Sequence, residues 1–85
     1  MSNHHTIKCI QPYFDEVRNG NKVFEVRFND RDYKEGDTVT LVLYNPELQQ
    51  ESDIKIHAEI GYVLTNFEGL KDGWCAFSLK YVTTY

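Results

Sequence analysis

The longest stretch of strict alternation in the chain runs from Ile54 to Leu64, and it constrains the fold more than any other feature. Apolar side chains occupy every second position of this stretch, at Ile54, Ile56, Ala58, Ile60, Tyr62 and Leu64. Successive residues of a strand point to opposite faces of a sheet, so the pattern predicts a long strand whose apolar residues share one face. A helix would instead need apolar residues three and four positions apart.

Four other segments also have the composition of strands, and one segment predicts a helix. The predicted strands are Thr6–Ile10, Val23–Phe28, Thr38–Tyr44 and Trp74–Val82. Between the first two, Pro12 suits the first turn of a helix and Asn19-Gly20 suits its end, with Phe14 and Val17 as its apolar stripe. In the last strand, one face carries Cys75, Phe77, Leu79 and Tyr81. We therefore expect residues 1–85 to form a single α+β, mainly β domain.

Size and composition limit the classes of protein that this chain can belong to. Its 85 residues contain 14% aromatic side chains, which is too many for a disordered chain. The longest apolar runs are far shorter than the roughly 20 residues of a membrane helix, and the first residues lack the apolar core of a secretory signal. We therefore expect a cytoplasmic protein without a membrane partner. In that compartment two buried free thiols, Cys9 and Cys75, are favoured over a disulfide.

Charge is distributed unevenly along the chain. The net charge of −4 argues against strong nonspecific binding to nucleic acid. Six of the nine Lys and Arg residues, however, lie within residues 1–34. This distribution allows a local anion site in the first part of the chain and excludes a broad basic face.

The predicted strand over residues 23–28 has one charged face. Glu25 and Arg27 are two residues apart and project from the same side, and Lys22 lies just before them. The opposite face is fully apolar, which leaves the charged face free to line a cleft; its residues are Phe24, Val26 and Phe28. The alternative is a solvated outer face with a surface ion pair worth about 0–1 kcal/mol.

Further polar residues extend this motif along the chain. Asn29-Asp30-Arg31-Asp32 follows the strand as a turn, because Asn and Asp side chains bond to nearby backbone groups, and Gly36-Asp37 comes soon after. The complete pattern, G-x-K-x-x-E-x-R-x-N-D-R-D followed by G-D, resembles the ASCH-like domains of the PUA-like superfamily, and most of all a short bacterial and phage branch. The resemblance includes His5-Thr6-Ile7-Lys8 and Pro12-Tyr13-Phe14, and it covers nearly the whole chain.

The resemblance implies a small PUA-like β-barrel of five to six strands with one helix near a barrel mouth. It also implies a cleft that binds RNA, a nucleotide or a modified base. The ligand-binding residues that we expect on this basis are Lys22, Glu25, Arg27, Asn29, Arg31, His5, Lys8 and Tyr33. Several aromatic residues are candidates for stacking on a base, with ordinary packing as the alternative: Tyr13, Tyr33, Tyr44 and Trp74.

Two other functions remain open at this stage. Some proteins of this fold hydrolyse acylated cytidine with a Lys and a Thr nucleophile; here Lys22 matches the Lys, but Glu25 occupies the Thr position, and a carboxylate does not replace a hydroxyl nucleophile. We therefore expect no catalytic residues, with nucleoside amide hydrolysis as the alternative. The other alternative is a buried ion-pair network of Glu25, Arg27 and the 29–32 turn that fixes the barrel register.

Metal binding is not expected. His4, His5 and Cys9 match no standard zinc spacing, and we predict no metal and no cofactor.

Overall fold

Five strands and one short helix make up the fold in a computed structural model that describes residues 2–84. In chain order the elements are β1 (His4–Cys9), α1 (Tyr13–Arg18), β2 (Phe24–Phe28), β3 (Thr38–Asn45), β4 (Gln50–Thr65) and β5 (Trp74–Thr84). The mainly β prediction is confirmed. β4 is longer than the predicted stretch from Ile54 to Leu64, because it already begins at Gln50 and ends at Thr65.

The strands form one sheet with the order β1-β3-β4-β5-β2, so β1 and β2 are its two edge strands. β1 runs parallel to β3, and every other neighbouring pair is antiparallel. The sheet is curled, since the side chain of Arg27 on one edge reaches the backbone of Lys8 on the other. No helix within residues 2–84 has the length and apolarity that crossing a membrane requires.

The core lies on the inner face of the curled sheet, under α1. The helix contributes Phe14 and Val17, the two residues of its predicted apolar stripe, and both are fully buried. Gly20 has φ +82°, the left-handed conformation expected of a residue that ends a helix. The rest of the core comes mainly from alternate strand residues: Ile7, Cys9, Tyr33, Val39, Leu41, Ile56, Ala58, Ile60, Cys75, Phe77 and Leu79. Cys9 and Cys75 are free thiols, as predicted.

Two predicted face assignments are wrong for a common reason. Tyr62 and Tyr81 do not share the buried faces of their strands; both side chains are exposed, at 66% and 77%. The β4–β5 register shifts once between Ile60 and Val63 and again beside Tyr81, which has φ +54°. A bulge adds one residue to one strand, so the inward and outward positions exchange beyond it.

The apolar face of β2 is exposed, contrary to the expectation that only the charged face of this strand is free. Glu25 is only 3% exposed, whereas Phe24, Val26 and Phe28 are each about half exposed, at 47%, 46% and 53%. The apolar face of this strand therefore points outward, and the charged face points toward the interior.

Pairing with β5 explains this orientation. Glu25 lies opposite Phe77, and Arg27 lies opposite Cys75, and both of these β5 residues are in the core. Residues directly opposite each other in an antiparallel pair point to the same face. The inward face of β5 therefore turns Glu25 and Arg27 inward as well.

We expect Gly61→Ala to destabilise the fold by about 1–3 kcal/mol through overpacking. A Cβ at this buried position would lie 2.3 Å from Ser78 Oγ, which also accepts a hydrogen bond from the Tyr62 backbone N–H. Urea denaturation measures the loss. The double variant Gly61→Ala/Ser78→Ala removes the clashing atom and should recover part of it, so equal stability of the single and double variants would contradict this explanation.

Candidate functional site

The two edges of the sheet face each other across a cleft with a volume of about 1020 Å³. Residues 6–10 line one side, residues 24–28 line the other, and Tyr13 of α1 lies beside them. Within the described part of the chain, neither facing edge pairs with another strand. We call these facing edges the seam.

Hydrogen bonding along β2 shows which of its backbone groups face the seam. Val23 C=O accepts from Leu79 N–H, and Asn29 N–H donates to Gly73 C=O. Backbone groups point to alternate sides along an antiparallel ladder, so those of Phe24, Val26 and Phe28 face away from β5. The seam therefore offers backbone donors and acceptors in addition to side chains.

A buried carboxylate held by two cations forms the polar part of the cleft. Lys22 Nζ donates to Glu25 Oε1 and to Phe24 C=O, the latter at 2.6 Å. Arg27 Nε donates to Glu25 Oε2 at 3.1 Å. We call Lys22, Glu25 and Arg27 the clasp; the three predicted motif residues are thus in direct contact.

Arg27 also joins the two edges of the sheet. Its Nη2 donates to the backbone carbonyl of Lys8 at 2.6 Å. A single guanidinium therefore binds the clasp carboxylate on β2 and the backbone of β1. The seam is bridged here by a side chain in the place where a closed barrel would have a hydrogen-bonded strand pair.

Two protonated groups lie next to the clasp. The pKa of the Cys9 thiol is raised to about 11, mainly by burial and also by the charge of Glu25, against the opposing charges of Arg27 and Lys22. Burial also raises the pKa of Tyr33, whose ring packs 4.9 Å from the ring of Phe77. Cys9 is therefore a thiol at neutral pH, and it lacks the thiolate character of a nucleophilic cysteine.

The remaining predicted site residues have different surroundings. Arg31 is exposed and lines the cleft, and Tyr33 lines it from the core. Asn29 Oδ1 accepts a hydrogen bond from Tyr33 N–H, so this side chain holds the turn. Lys8 lines the cleft but extends its Nζ over the ring of Tyr44, 4.4 Å from the ring centre.

His5 does not reach the cleft. Its Nε2 lies 2.8 Å from Asp37 Oδ2, and both side chains are buried. Burial opposes ionisation of Asp37, but hydrogen bonds from Asn3 N–H, His5 and Lys34 N–H outweigh it and lower the carboxyl pKa below its usual value. His5, expected among the ligand-binding residues, therefore forms a structural pair between β1 and the residue that directly precedes β3.

Sequence reasoning missed the aromatic contribution of β2 to the cleft. Phe24 and Phe28 line the cleft together with Trp74 and Tyr13. Period-two alternation separates the two faces of β2 but does not show which of them the pairing with β5 turns inward. Of the four aromatic stacking candidates, Tyr44 has the ammonium group of Lys8 over its ring, whereas Tyr13 and Trp74 are exposed.

The His, Cys, Asp and Glu side chains of residues 2–84 form no group of three or more that is placed to hold a metal. A family model described as a domain of unknown function, DUF3850, matches residues 4–79. No curated protein matches the sequence.

Proposed function

The chain belongs to the DUF3850 family, and we propose that it is a PUA-like, ASCH-related module that binds RNA or a nucleotide in the cleft between β1 and β2. The observation that carries the proposal is the combination of cationic side chains with exposed aromatic rings in one cleft. Modified bases are included in the ligand class. Under the same proposal, the curled sheet is a PUA-like barrel, and α1 lies beside its mouth.

The size and charge of the cleft suit a nucleotide. Small-molecule sites commonly have volumes of about 300–1000 Å³, and the volume of this cleft is just above that range. The lining includes four cationic side chains, Lys8, Lys22, Arg27 and Arg31, and three acidic ones, Glu25, Asp30 and Glu51. A phosphate is attracted by such a lining without the broad basic surface that nonspecific nucleic-acid binding needs.

The polar groups of the clasp and the seam suit a base. The Glu25 carboxylate is fixed by its two cations and accepts hydrogen bonds, as an exocyclic amino group requires. Val26 offers a backbone N–H and C=O on the seam side of β2. Aromatic rings stack on any base and contribute roughly 1–3 kcal/mol each.

Hydrolysis of an acylated nucleoside is less well supported. Lys22 Nζ donates to both Glu25 and Phe24 C=O, so the amine acts as a hydrogen-bond donor in the clasp. Formation of cytidine from acetylcytidine, measured by chromatography, would restore this alternative.

Arg31→Ala is expected to weaken binding about tenfold, because it removes an exposed cation from the cleft. Trp74, the single tryptophan of the chain, lines the cleft and reports binding by its fluorescence. The probes are nucleoside 5′-monophosphates and short single-stranded RNAs at low salt.

Arg18→Ala is the matched control, since Arg18 lies outside the cleft and pairs with Asp15 on the surface of α1. Absence of saturable binding for every probe would reject the proposed function. An equal loss in both arginine variants would show that the anion binds elsewhere.

A further inference from the structure

Phe28 and Trp74 form an aromatic pair at one end of the cleft. They are directly opposite each other in the β2–β5 register. Their ring centres lie 6.2 Å apart with an interplanar angle of 76°, an edge-to-face arrangement. Both rings line the cleft, and their side chains are 53% and 37% exposed. Each ring thus keeps a large surface free.

A close backbone approach positions this pair. A Cβ on Gly73 would lie 2.8 Å from Phe28 Cε1, so the ring rests on a position that only glycine leaves open. Gly73 also has φ +82°, a conformation that side chains rarely adopt. Its carbonyl accepts a hydrogen bond from Asn29 N–H at 2.8 Å, which ties the end of β2 to the start of β5. Phe28 is therefore positioned by its neighbours and yet remains half exposed.

Arg31 follows Phe28 by three residues and provides a cation that no carboxylate pairs with in the described part of the chain. Among residues 2–84, no carboxylate pairs with its guanidinium, whereas both cations of the clasp contact Glu25. Arg31 is exposed and lines the same cleft as Phe28 and Trp74. A phosphate group next to a base on this aromatic pair could therefore bind the unpaired guanidinium of Arg31.

We propose that Phe28 and Trp74 form a second base-stacking subsite, which makes the preferred ligand a single-stranded oligonucleotide instead of a mononucleotide. This inference rests on the proposed function of the cleft. Phe28 is three residues from Glu25, about 10 Å along the strand. That distance corresponds to roughly three stacking steps of 3.4 Å each. One base at the clasp and another base on the aromatic pair therefore belong to successive parts of one oligonucleotide.

The test compares nucleoside 5′-monophosphates with single-stranded RNA tetranucleotides, titrated calorimetrically into the full chain and its Phe28→Leu variant. Leucine keeps an apolar side chain at this half-exposed position and removes the stacking surface. We expect the wild type to bind tetranucleotides at least tenfold more tightly than monophosphates. We expect Phe28→Leu to remove about tenfold more affinity from tetranucleotides than from monophosphates. Phe67→Leu, at an exposed position outside the cleft, is the matched control.

Several results would overturn the inference. Equal affinity for monophosphates and tetranucleotides would show a one-nucleotide site and leave the proposed function intact. The same conclusion follows if Phe28→Leu weakens both probes equally. Binding of neither probe would reject the proposed function together with this subsite. If the wild type forms dimers in sedimentation runs and Phe28→Leu abolishes them, the aromatic pair is a protein interface.

Discussion

Asp37→Asn is expected to lower the free energy of unfolding at pH 7 by about 3 kcal/mol. The carboxylate is only 2% exposed and accepts from Asn3 N–H at 2.9 Å, Lys34 N–H at 3.1 Å and His5 Nε2 at 2.8 Å. An amide keeps one acceptor oxygen and places an NH₂ group against at least one of these donors. Hydrogen bonds to a buried charge are worth about 1.5–3 kcal/mol, and an orphaned donor adds its desolvation cost.

The effect should depend on pH in a defined direction. The pKa of Asp37 is lower in the folded chain than its ordinary value of 3.8. The stabilisation is therefore complete above about pH 4 and is lost as the pH falls through the lower folded value. Because asparagine does not titrate, the stability difference between wild type and variant should shrink in acid.

Urea denaturation at pH 7 and at about pH 2–3 measures both expectations. Asp53→Asn, at an exposed position, is the matched control and should change stability by less than about 0.5 kcal/mol. A stability difference for Asp37→Asn that stays constant between neutral and acid pH would contradict the assigned role of the carboxylate.

Glu25→Gln is expected to lower the free energy of unfolding by about 2 kcal/mol. The side chain is buried between Lys22 and Arg27, and the substitution leaves both cations without their anion. Removing one partner of a fully buried pair costs about 3–5 kcal/mol, and the partial exposure of both cations reduces that figure. For a domain of this size, 2 kcal/mol corresponds to a melting temperature about 8–16 °C lower.

Glu51→Gln is the control, because Glu51 also lines the cleft but is exposed. Binding measured at a temperature at which both variants are folded separates two roles for the clasp. Loss of both stability and affinity would support a ligand site built on a structural ion pair. Loss of stability with unchanged affinity would mean that the clasp only fixes the sheet. Unchanged stability would contradict the stabilising role that we assign to the ion pairs of Glu25.

The sequence predicted the elements well because their local patterns are strong. All five strands, the short helix and its end at Asn19-Gly20 have clear signals in alternation and turn residues. The contacts of Glu25 with Lys22 and with Arg27 also follow from their spacing along one strand and its preceding turn. These are short-range properties of the chain.

Features that depend on distant pairing were not predictable. The burial of Glu25 is set by β5, whose Phe77 lies opposite it about fifty positions later in the chain. Tyr62 and Tyr81 point outward because of bulges that no residue pattern marks. The resemblance led us to expect His5 in the cleft, whereas its partner, Asp37, lies 32 positions away and appears in the sequence only as part of a turn.

The bridge between Arg27 and Lys8 has a mechanical consequence. Widening the cleft requires the loss of one charge-assisted hydrogen bond, at a net cost of about 1.5–3 kcal/mol, and leaves every strand pair of the sheet intact. A barrel closed by a backbone ladder would have to break several hydrogen bonds to open by the same amount. The two edges of the sheet can therefore separate beside Arg27 at a smaller energetic cost than the edges of a closed barrel.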